Sequence, residues 1–152
     1  MATNSLAAGY VLVEGYPSVE DYRNLREQSG LSPRNEEQAT KSIAGSWYGV
    51  YIAEETAPTK AVAMGRVIGD GGWYFIIADM ATLPAHQRKG LGDVVLKKLL
   101  AEIERRAAEG QAYVTLGADP PGRKLYMKNG FQDTMPDTMG MERHVQGQGQ
   151  DQ

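Results

Sequence analysis

Cysteine is absent from this sequence of 152 residues, and histidine occurs only at His86 and His144. Without thiols the chain can form neither disulfides nor thiolate metal sites, and it cannot use a cysteine acyl-enzyme. Two histidines are also too few for a histidine-rich metal centre, so we expect no metal cofactor. We interpret both histidines as surface residues, one in a loop and one in the tail.

A dominant charge of one sign is lacking as well. The chain carries 16 lysines and arginines and 19 aspartates and glutamates, and its formal net charge is -3. Because the two signs are intermixed, the sequence offers no basic field for a nucleic acid and no polybasic segment for a membrane surface. We therefore expect a small-molecule ligand and neither a nucleic acid nor a membrane as partner.

Long hydrophobic runs are missing too, since no apolar stretch reaches the ~20 residues that cross a bilayer. Residues 1–5 are polar and lack the regions of a secretion signal, which predicts a cytoplasmic protein. The length suits one domain, which we predict for residues 1–145. Residues 146–152 are rich in glycine and glutamine, so we predict a disordered tail there. A monomer and a homodimer both stay open at this stage.

The most informative stretch reads as a strand, a loop and a helix. The apolar run Trp73–Met80 predicts a strand, and apolar residues at helical spacing between Leu91 and Ala107 predict a helix. In the loop, Gly90 and Gly92 allow backbone N–H groups to approach a ligand closely, and the start of the helix adds unpaired donors and a positive dipole. Two basic residues precede the first glycine. We predict that this loop binds a pyrophosphate.

Two motifs identify the ligand further. The Walker pattern is absent, and the run Gly90–Val95 lacks the third glycine of the dinucleotide fingerprint. The run Gln87–Gly92 instead follows the pattern Gln/Arg-x-x-Gly-x-Gly/Ala, and it resembles the acetyl-CoA loop of the GNAT superfamily of N-acetyltransferases. Downstream, Leu125–Phe131 resembles the Leu-Tyr-x-x-x-Gly-Phe signature of the same family and lies at a family-like distance.

The resemblance implies an α/β (α+β) domain with the GNAT fold. In that fold a mixed, mostly antiparallel sheet of six or seven strands is splayed between the fourth and fifth strands and is flanked by about four helices. We expect the last strands to come from residues 131–141. Acetyl-CoA would be the cosubstrate and would lie in the splay.

The resemblance also implies which residues bind acetyl-CoA. Loop residues would hold the pyrophosphate, and backbone N–H groups of a bulged strand segment would stabilise the oxyanion. Arg123 stands where many family members have an asparagine, and it would either pair with a phosphate or only cover its helix. The predicted cofactor-binding residues are Met80, Ala81, Thr82, Gln87, Arg88, Lys89, Gly90, Leu91, Gly92, Asp93, Arg123 and Tyr126.

Two residues are the predicted catalytic groups. Tyr126 matches the family tyrosine that acts as a general acid, or as a hydrogen-bond donor, toward the departing sulfur. Asp79 is the acid on the strand that, in the resembled fold, runs beside the thioester, so we predict it as the general base. Its alternative role, a structural carboxylate paired with a neighbour, carries equal weight. The remaining candidate bases are Glu54, Glu55 and Asp119.

The predicted function is transfer of the acetyl group of acetyl-CoA to a primary amine of a small molecule, by direct attack in a ternary complex. Acceptors in the resembled family include amino sugars, polyamines, arylalkylamines and amino acids. The alternatives are a protein N-terminal or lysine acetyltransferase and a non-catalytic acetyl-CoA-binding regulatory module. One set of candidate acceptor residues is an aromatic wall of Trp47, Tyr48, Trp73 and Tyr74, although aromatic residues in strands more often belong to the core. The others are Arg66 and Asp70, which the resemblance places near the cleft.

Overall fold

The computed structural model describes residues 5–149, so the first four residues of the predicted domain and residues 150–152 of the predicted tail lie outside the described part. Two 3₁₀ turns, Pro84–His86 and Pro120–Gly122, come before the third and fourth helices. Within residues 5–149, no helix is long and apolar enough to cross a membrane. The regular elements are β1 (Tyr10–Glu14), α1 (Val19–Gln28), α2 (Glu36–Ala44), β2 (Tyr48–Glu54), β3 (Ala61–Gly69), β4 (Tyr74–Thr82), α3 (Leu91–Arg106), β5 (Tyr113–Thr115) and α4 (Arg123–Lys128).

Side chains at the helix starts determine where α1 and α2 begin. Ser18 Oγ accepts a hydrogen bond from the backbone N–H of Asp21 at 3.1 Å. Asn35 and Gln38 form a capping box, in which each side chain accepts from the backbone N–H of the other, at 2.8 and 3.3 Å. These bonds satisfy donors that a helix start leaves free. Helix α3 differs, because its N-cap is Gly90 and no side chain caps it.

The sheet has the order β1-β2-β3-β4-β5. Neighbouring strands from β1 to β4 are antiparallel, whereas β5 follows the crossover helix α3 and pairs with β4 in parallel. That last pairing covers only residues 74–76 of β4 and residues 113–115 of β5. From Ile77 to Thr82, therefore, β4 has no strand partner on this side among the described residues. The predicted splay between the fourth and fifth strands is confirmed.

The strand count is lower than predicted, with five strands rather than six or seven. Residues 131–149 belong to no helix or strand, and all of them except Phe131 are exposed. Pro136 has no N–H to give a ladder, and Thr138 donates its N–H locally to the carbonyl of Thr134 at 3.0 Å. Turn bonding thus replaces the strands that we expected in residues 131–141.

A β-bulge interrupts β4 opposite Gly65. Across β3 and β4, Met64 pairs with Ala81 and Arg66 with Ala78, so the two residues Asp79 and Met80 oppose a single glycine. Asp79 has a positive φ of 57°. One extra residue reverses the alternation of side chains along the strand from that point on.

The reversal is visible in the two cores that the sheet separates. Before the bulge, Phe75 and Ile77 belong to the core cluster that contains the α3 residues Val95 and Leu99. After it, Met80 packs against that cluster, whereas Ala81 belongs to the cluster on the opposite face. The opposite face is covered by α1 and α2 and is built from Tyr22, Leu25, Ala39, Ala61, Met64 and Ala81.

Gly65 leaves the space that this arrangement requires, so Gly65→Ala should destabilise the protein by about 1–3 kcal/mol. An added Cβ would lie 2.6 Å from Met80 Sδ, 2.8 Å from Val95 Cγ1 and 3.0 Å from Leu99 Cδ1. The matched control is Gly117→Ala, whose Cβ would meet nothing within 4 Å, and its free energy of unfolding should change by less than about 0.5 kcal/mol. Urea denaturation measures both variants, and equal stabilities would contradict the packing described here.

Candidate active site

The loop between β4 and α3 ends at a helix start that no side chain caps. Gly90 is left-handed with φ 76°, Arg88 has φ 63°, and no side chain caps the helix. An added Cβ on Gly90 would meet nothing within 4 Å. The first turn of α3 therefore presents backbone N–H donors and the positive end of a 16-residue helix toward open space. A helix start of this kind can bind an anionic group.

Side chains hold the loop at its base. Gln87 Nε2 donates to the carbonyl of Thr82 at 3.2 Å, and Lys89 Nζ donates to the Tyr10 hydroxyl at 3.2 Å. The same hydroxyl lies 2.7 Å from His86 Nδ1. His86 is thus a partly buried support of the loop, with a side chain only 17% exposed, and our interpretation of it as a surface residue is wrong. Nothing in the local sequence indicated its contact with β1.

Asp93, predicted to bind the cofactor, turns its carboxylate toward α4. The side chain is 4% exposed and accepts a hydrogen bond from Asn129 Nδ2 at 2.9 Å, and it also pairs with Lys97. Asn129 Nδ2 donates in addition to the carbonyl of Leu125 at 2.9 Å. These bonds connect the first turn of α3 to the end of α4. Sequence reasoning missed Asn129, because an asparagine before a glycine also reads as an ordinary helix end.

Tyr126 lies on α4, half-buried, with its ring 6.0 Å from that of Phe131 in an edge contact. Burial, reinforced by the charge of Asp119, raises the pKa of Tyr126 above that of an ordinary phenol. Its hydroxyl makes no hydrogen bond to another described residue, so a protonated donor is available to a ligand. Arg123 is exposed at the first position of α4, which agrees with either of its predicted roles.

Asp79, at the bulge, has both carboxylate oxygens occupied. Oδ2 accepts from the Tyr22 hydroxyl and from Arg66 Nε at 2.6 Å, and Oδ1 pairs with Arg26 Nη1. Burial raises the pKa of Asp79, but the Tyr22 hydrogen bond and the two guanidinium groups outweigh it and hold the pKa below its usual value. A carboxylate so occupied is a weak proton acceptor. These contacts favour the structural role over the predicted general base.

The arginines extend the cluster into the helices. Arg66 Nη1 donates to Ser46 Oγ at 3.0 Å and to the Ser42 carbonyl at 3.3 Å, near the end of α2. Arg26 Nε donates to the Ser32 carbonyl at 3.0 Å, between α1 and α2. The bulge is therefore tied to β3 and to both helices that cover this face of the sheet.

The predicted aromatic wall is divided by the sheet. Trp47 packs against Phe75 in the core on the α3 face, and Tyr48 donates to Glu14 Oε1 at 2.7 Å. Tyr74 points to the opposite face, and its ring lies 5.4 Å from that of Tyr113. Trp73 is exposed, and its ring lies 5.3 Å from that of Tyr74 in an edge contact. Trp47 and Tyr48 both pack against the core cluster on the α3 face, whereas Tyr74 points away from it, so the four residues do not form one wall.

The other predicted acids lie at the surface. Asp70 accepts hydrogen bonds from three successive backbone N–H groups, at 2.8 to 3.2 Å, and so shapes the turn before β4. Glu54, Glu55 and Asp119 are exposed. None of these four carboxylates shares the cluster around the bulge.

Comparisons with known proteins agree on one family. A family model described as an acetyltransferase (GNAT) domain matches residues 46–133. The chloroplastic serotonin N-acetyltransferase 2 of rice, Oryza sativa subsp. japonica, is 30% identical over 105 residues, which are 67% of this chain and 50% of that protein. The chain thus spans about half the length of this curated relative.

Solved structures show the same fold. A probable acetyltransferase of unknown function from meticillin-resistant Staphylococcus aureus superposes with a TM-score of 0.82 and 35% identity, covering 90% of this chain and 99% of the other. A GNAT family acetyltransferase from Streptococcus pneumoniae superposes with a TM-score of 0.73, covering 91% and 99%. At 20% identity it supports the fold alone.

Asp79→Asn should lower the free energy of unfolding at pH 7 by about 3 kcal/mol, because it leaves two buried guanidinium groups without a counter-charge. The pKa of Asp79 is lowered in the folded state, so its stabilisation is complete above the unfolded-state pKa of about 3.9 and is lost below that value, as the pH falls through the lower pKa of the folded state. The wild type should therefore lose stability more steeply than the variant below about pH 4. Denaturation of the wild type and the variant at pH 7 and below about pH 4 measures both effects. The exposed Asp137→Asn is the control. Equal stability of Asp79→Asn and wild type would show that the cluster is not structural.

Proposed function

The chain belongs to the GNAT family of acetyltransferases, and from that premise we propose that it transfers the acetyl group of acetyl-CoA to a primary amine of a small molecule. The proposal is supported by the uncapped start of α3, next to which α4 carries Tyr126, whose hydroxyl has no partner among residues 5–149. The edge of β4 beyond Ile76, which has no strand partner in the same range, adds to it. Asn129 bonds α4 to α3, and Leu125 lies against Gly92, which keeps Tyr126 close to the loop. Calorimetry with acetyl-CoA, followed by an assay of thiol release with an amine panel, tests the proposal.

The residues present fit acetyl-CoA. The backbone N–H groups after Gly90 would receive the pyrophosphate, and Arg88 would add charge beside them. The free edge of β4 after Ile76 would offer backbone groups to the pantetheine arm, as a neighbouring strand does in a sheet. The bulge turns the backbone of Met80 and Ala81 at this edge, where the acetyl oxygen would lie.

When bound, acetyl-CoA supplies an acetyl group activated as a thioester. The amine nitrogen forms a bond to the acetyl carbon, the carbon–sulfur bond breaks, and the amine loses one proton. Backbone N–H groups at Met80 and Ala81 stabilise the negative charge that develops on the acetyl oxygen. Tyr126 donates its hydrogen bond to the departing sulfur, and its raised pKa keeps that proton in place at neutral pH.

Asp79 acts in this proposal as a positioning residue. Its lowered pKa makes it a poor acceptor for the proton of the amine. Its contacts instead hold the extra residue of the bulge in its left-handed conformation, which is unfavourable for a residue other than glycine. The proton would then leave the amine through water.

Gly90→Ala should weaken the binding of acetyl-CoA at least tenfold, since the methyl group enters the space reserved for the pyrophosphate. The matched control is Gly30→Ala, because Gly30 also has a positive φ, 92°, with nothing within 4 Å of an added Cβ. Both variants incur about 1–2 kcal/mol of backbone strain, but only the first touches the predicted site. Calorimetry that gives wild-type affinity for Gly90→Ala would refute the pyrophosphate assignment.

Tyr126→Phe should lower kcat roughly ten- to a thousandfold, because only the donor to the departing sulfur is removed. The affinity for acetyl-CoA should stay within about twofold, since the ring and its contact with Phe131 remain. Tyr51→Phe, on β2, is the matched control and should keep its turnover. Unchanged turnover of Tyr126→Phe, with chemistry shown to limit the rate, would leave Tyr126 only a packing role.

A further inference from the structure

An acceptor can reach the bulge from one face of the sheet only. On the α3 face, Phe75, Ile77 and Met80 pack into the core with α3, and Val95 and Leu99 are fully buried there. That face has no room for a second substrate. The acceptor must therefore approach from the face that α1 and α2 partly cover.

That opposite face carries apolar side chains that neither core cluster covers. Ile68 and Ile76 are half-buried and belong to neither core cluster, and the strand alternation directs them away from α3. Tyr74 and Tyr113 are 40% and 44% exposed beside them. These four residues form what we name the acceptor groove, and Arg66, two positions before Ile68 on the same face of β3, closes it at the bulge.

The end of the acceptor groove at Arg66 carries an unbalanced positive charge. Arg26 and Arg66, with side chains 10% and 13% exposed, share the single carboxylate of Asp79. Carbonyl dipoles offset only part of the remaining charge, and a buried charge without a counter-ion is costly. The other recorded partners of the two guanidinium groups are neutral: the Ser32 carbonyl and hydroxyl, the Ser42 carbonyl and the Ser46 hydroxyl.

One guanidinium nitrogen remains available for a ligand. Arg66 uses Nε toward Asp79 and Nη1 toward α2, whereas its Nη2 makes no hydrogen bond to a described residue. A guanidinium group is well suited to a carboxylate, because it offers several donors in a plane. An anionic group of the acceptor would supply the missing counter-charge.

The register limits how far this anionic group can be from the amine. Arg66 pairs directly with Ala78, the residue before the bulge, and such partners have Cα atoms about 4.5–5.5 Å apart. Because the amine reacts at the bulge, only a few covalent bonds can separate it from an anionic group that Arg66 binds. The nearby positive charge would also lower the pKa of the amine and so favour its neutral, nucleophilic form.

We infer that the acceptor is a free amino acid, with its carboxylate bound by Arg66 and its side chain lying on Ile68 and Ile76 in the acceptor groove. The inference rests on the proposed acetyltransferase function and names the substrate class of that site. A simple arylalkylamine would fill the groove but would leave the charge of Arg66 unbalanced.

Matched acceptors test the inference on the chain of 152 residues. Thiol release from acetyl-CoA is measured with phenylalanine, phenylalaninamide and phenethylamine, and with leucine and 3-methylbutylamine. We expect kcat/KM to be at least tenfold higher for each amino acid than for its counterparts without a carboxylate. Glucosamine 6-phosphate and glucosamine form a further pair, in which the anion is a phosphate far from the amine, and we expect no preference there.

A substitution of Arg66 tests whether this residue causes the preference for amino acids. Arg66→Gln removes one contact of the bulge and should lower turnover of every acceptor, but kcat/KM for phenylalanine should fall at least tenfold more than that for phenethylamine. The control is Arg23→Gln, an exposed arginine on α1, which should not change the ratio of the two. Melting temperatures verify folding, and the wild-type panel decides the question if Arg66→Gln does not fold. Equal or better turnover of the amines without a carboxylate, or a preference for the phosphate, overturns the amino acid as acceptor and leaves the proposed acetyltransferase function standing. Failure of acetyl-CoA to bind overturns the proposed function itself.

Discussion

The pairing of one carboxylate with two arginines at the β4 bulge is the interaction on which the rest of this structure depends. Asp79 occupies a left-handed conformation that only strong contacts make tolerable for a residue other than glycine. Tyr22 and Arg26 reach it from α1, and Arg66 reaches it from β3. The same bonds therefore fix the extra residue of β4 and attach the helices that cover one face of the sheet.

The bulge has consequences on both faces. It turns Met80 into the core against α3, and Gly65 must then be glycine because the sulfur of Met80 fills the space a Cβ would take. On the other face it brings a buried, net-positive cluster to the end of the acceptor groove. Beyond the pairing with β5, the same strand keeps an edge that no other strand of residues 5–149 pairs with. A single inserted residue thus relates core packing, a free strand edge and the electrostatics of the proposed acceptor site.

A second polar contact couples the two halves of the proposed cofactor site. Asp93 lies in the first turn of α3, directly after the glycine loop, and Asn129 bonds it to the end of α4. Because Asp93 is almost fully buried, this bond is shielded from water and holds its geometry well. Tyr126 is thereby kept at a set position relative to the loop, although the two lie far apart in the sequence.

The sequence by itself determined the family, the α/β class, the splay between the fourth and fifth strands and the strand, loop and helix around Gly90, because these follow from local periodicity and from two motifs with a set spacing. Only the tertiary structure decided the surroundings of Asp79, the division of the aromatic residues between two faces, the support of the loop by His86 and the absence of strands in residues 131–149. The physical reason is sequence distance. Tyr22 and Arg26 meet Asp79 across 57 and 53 positions, and no local pattern records which distant side chains will satisfy a buried carboxylate.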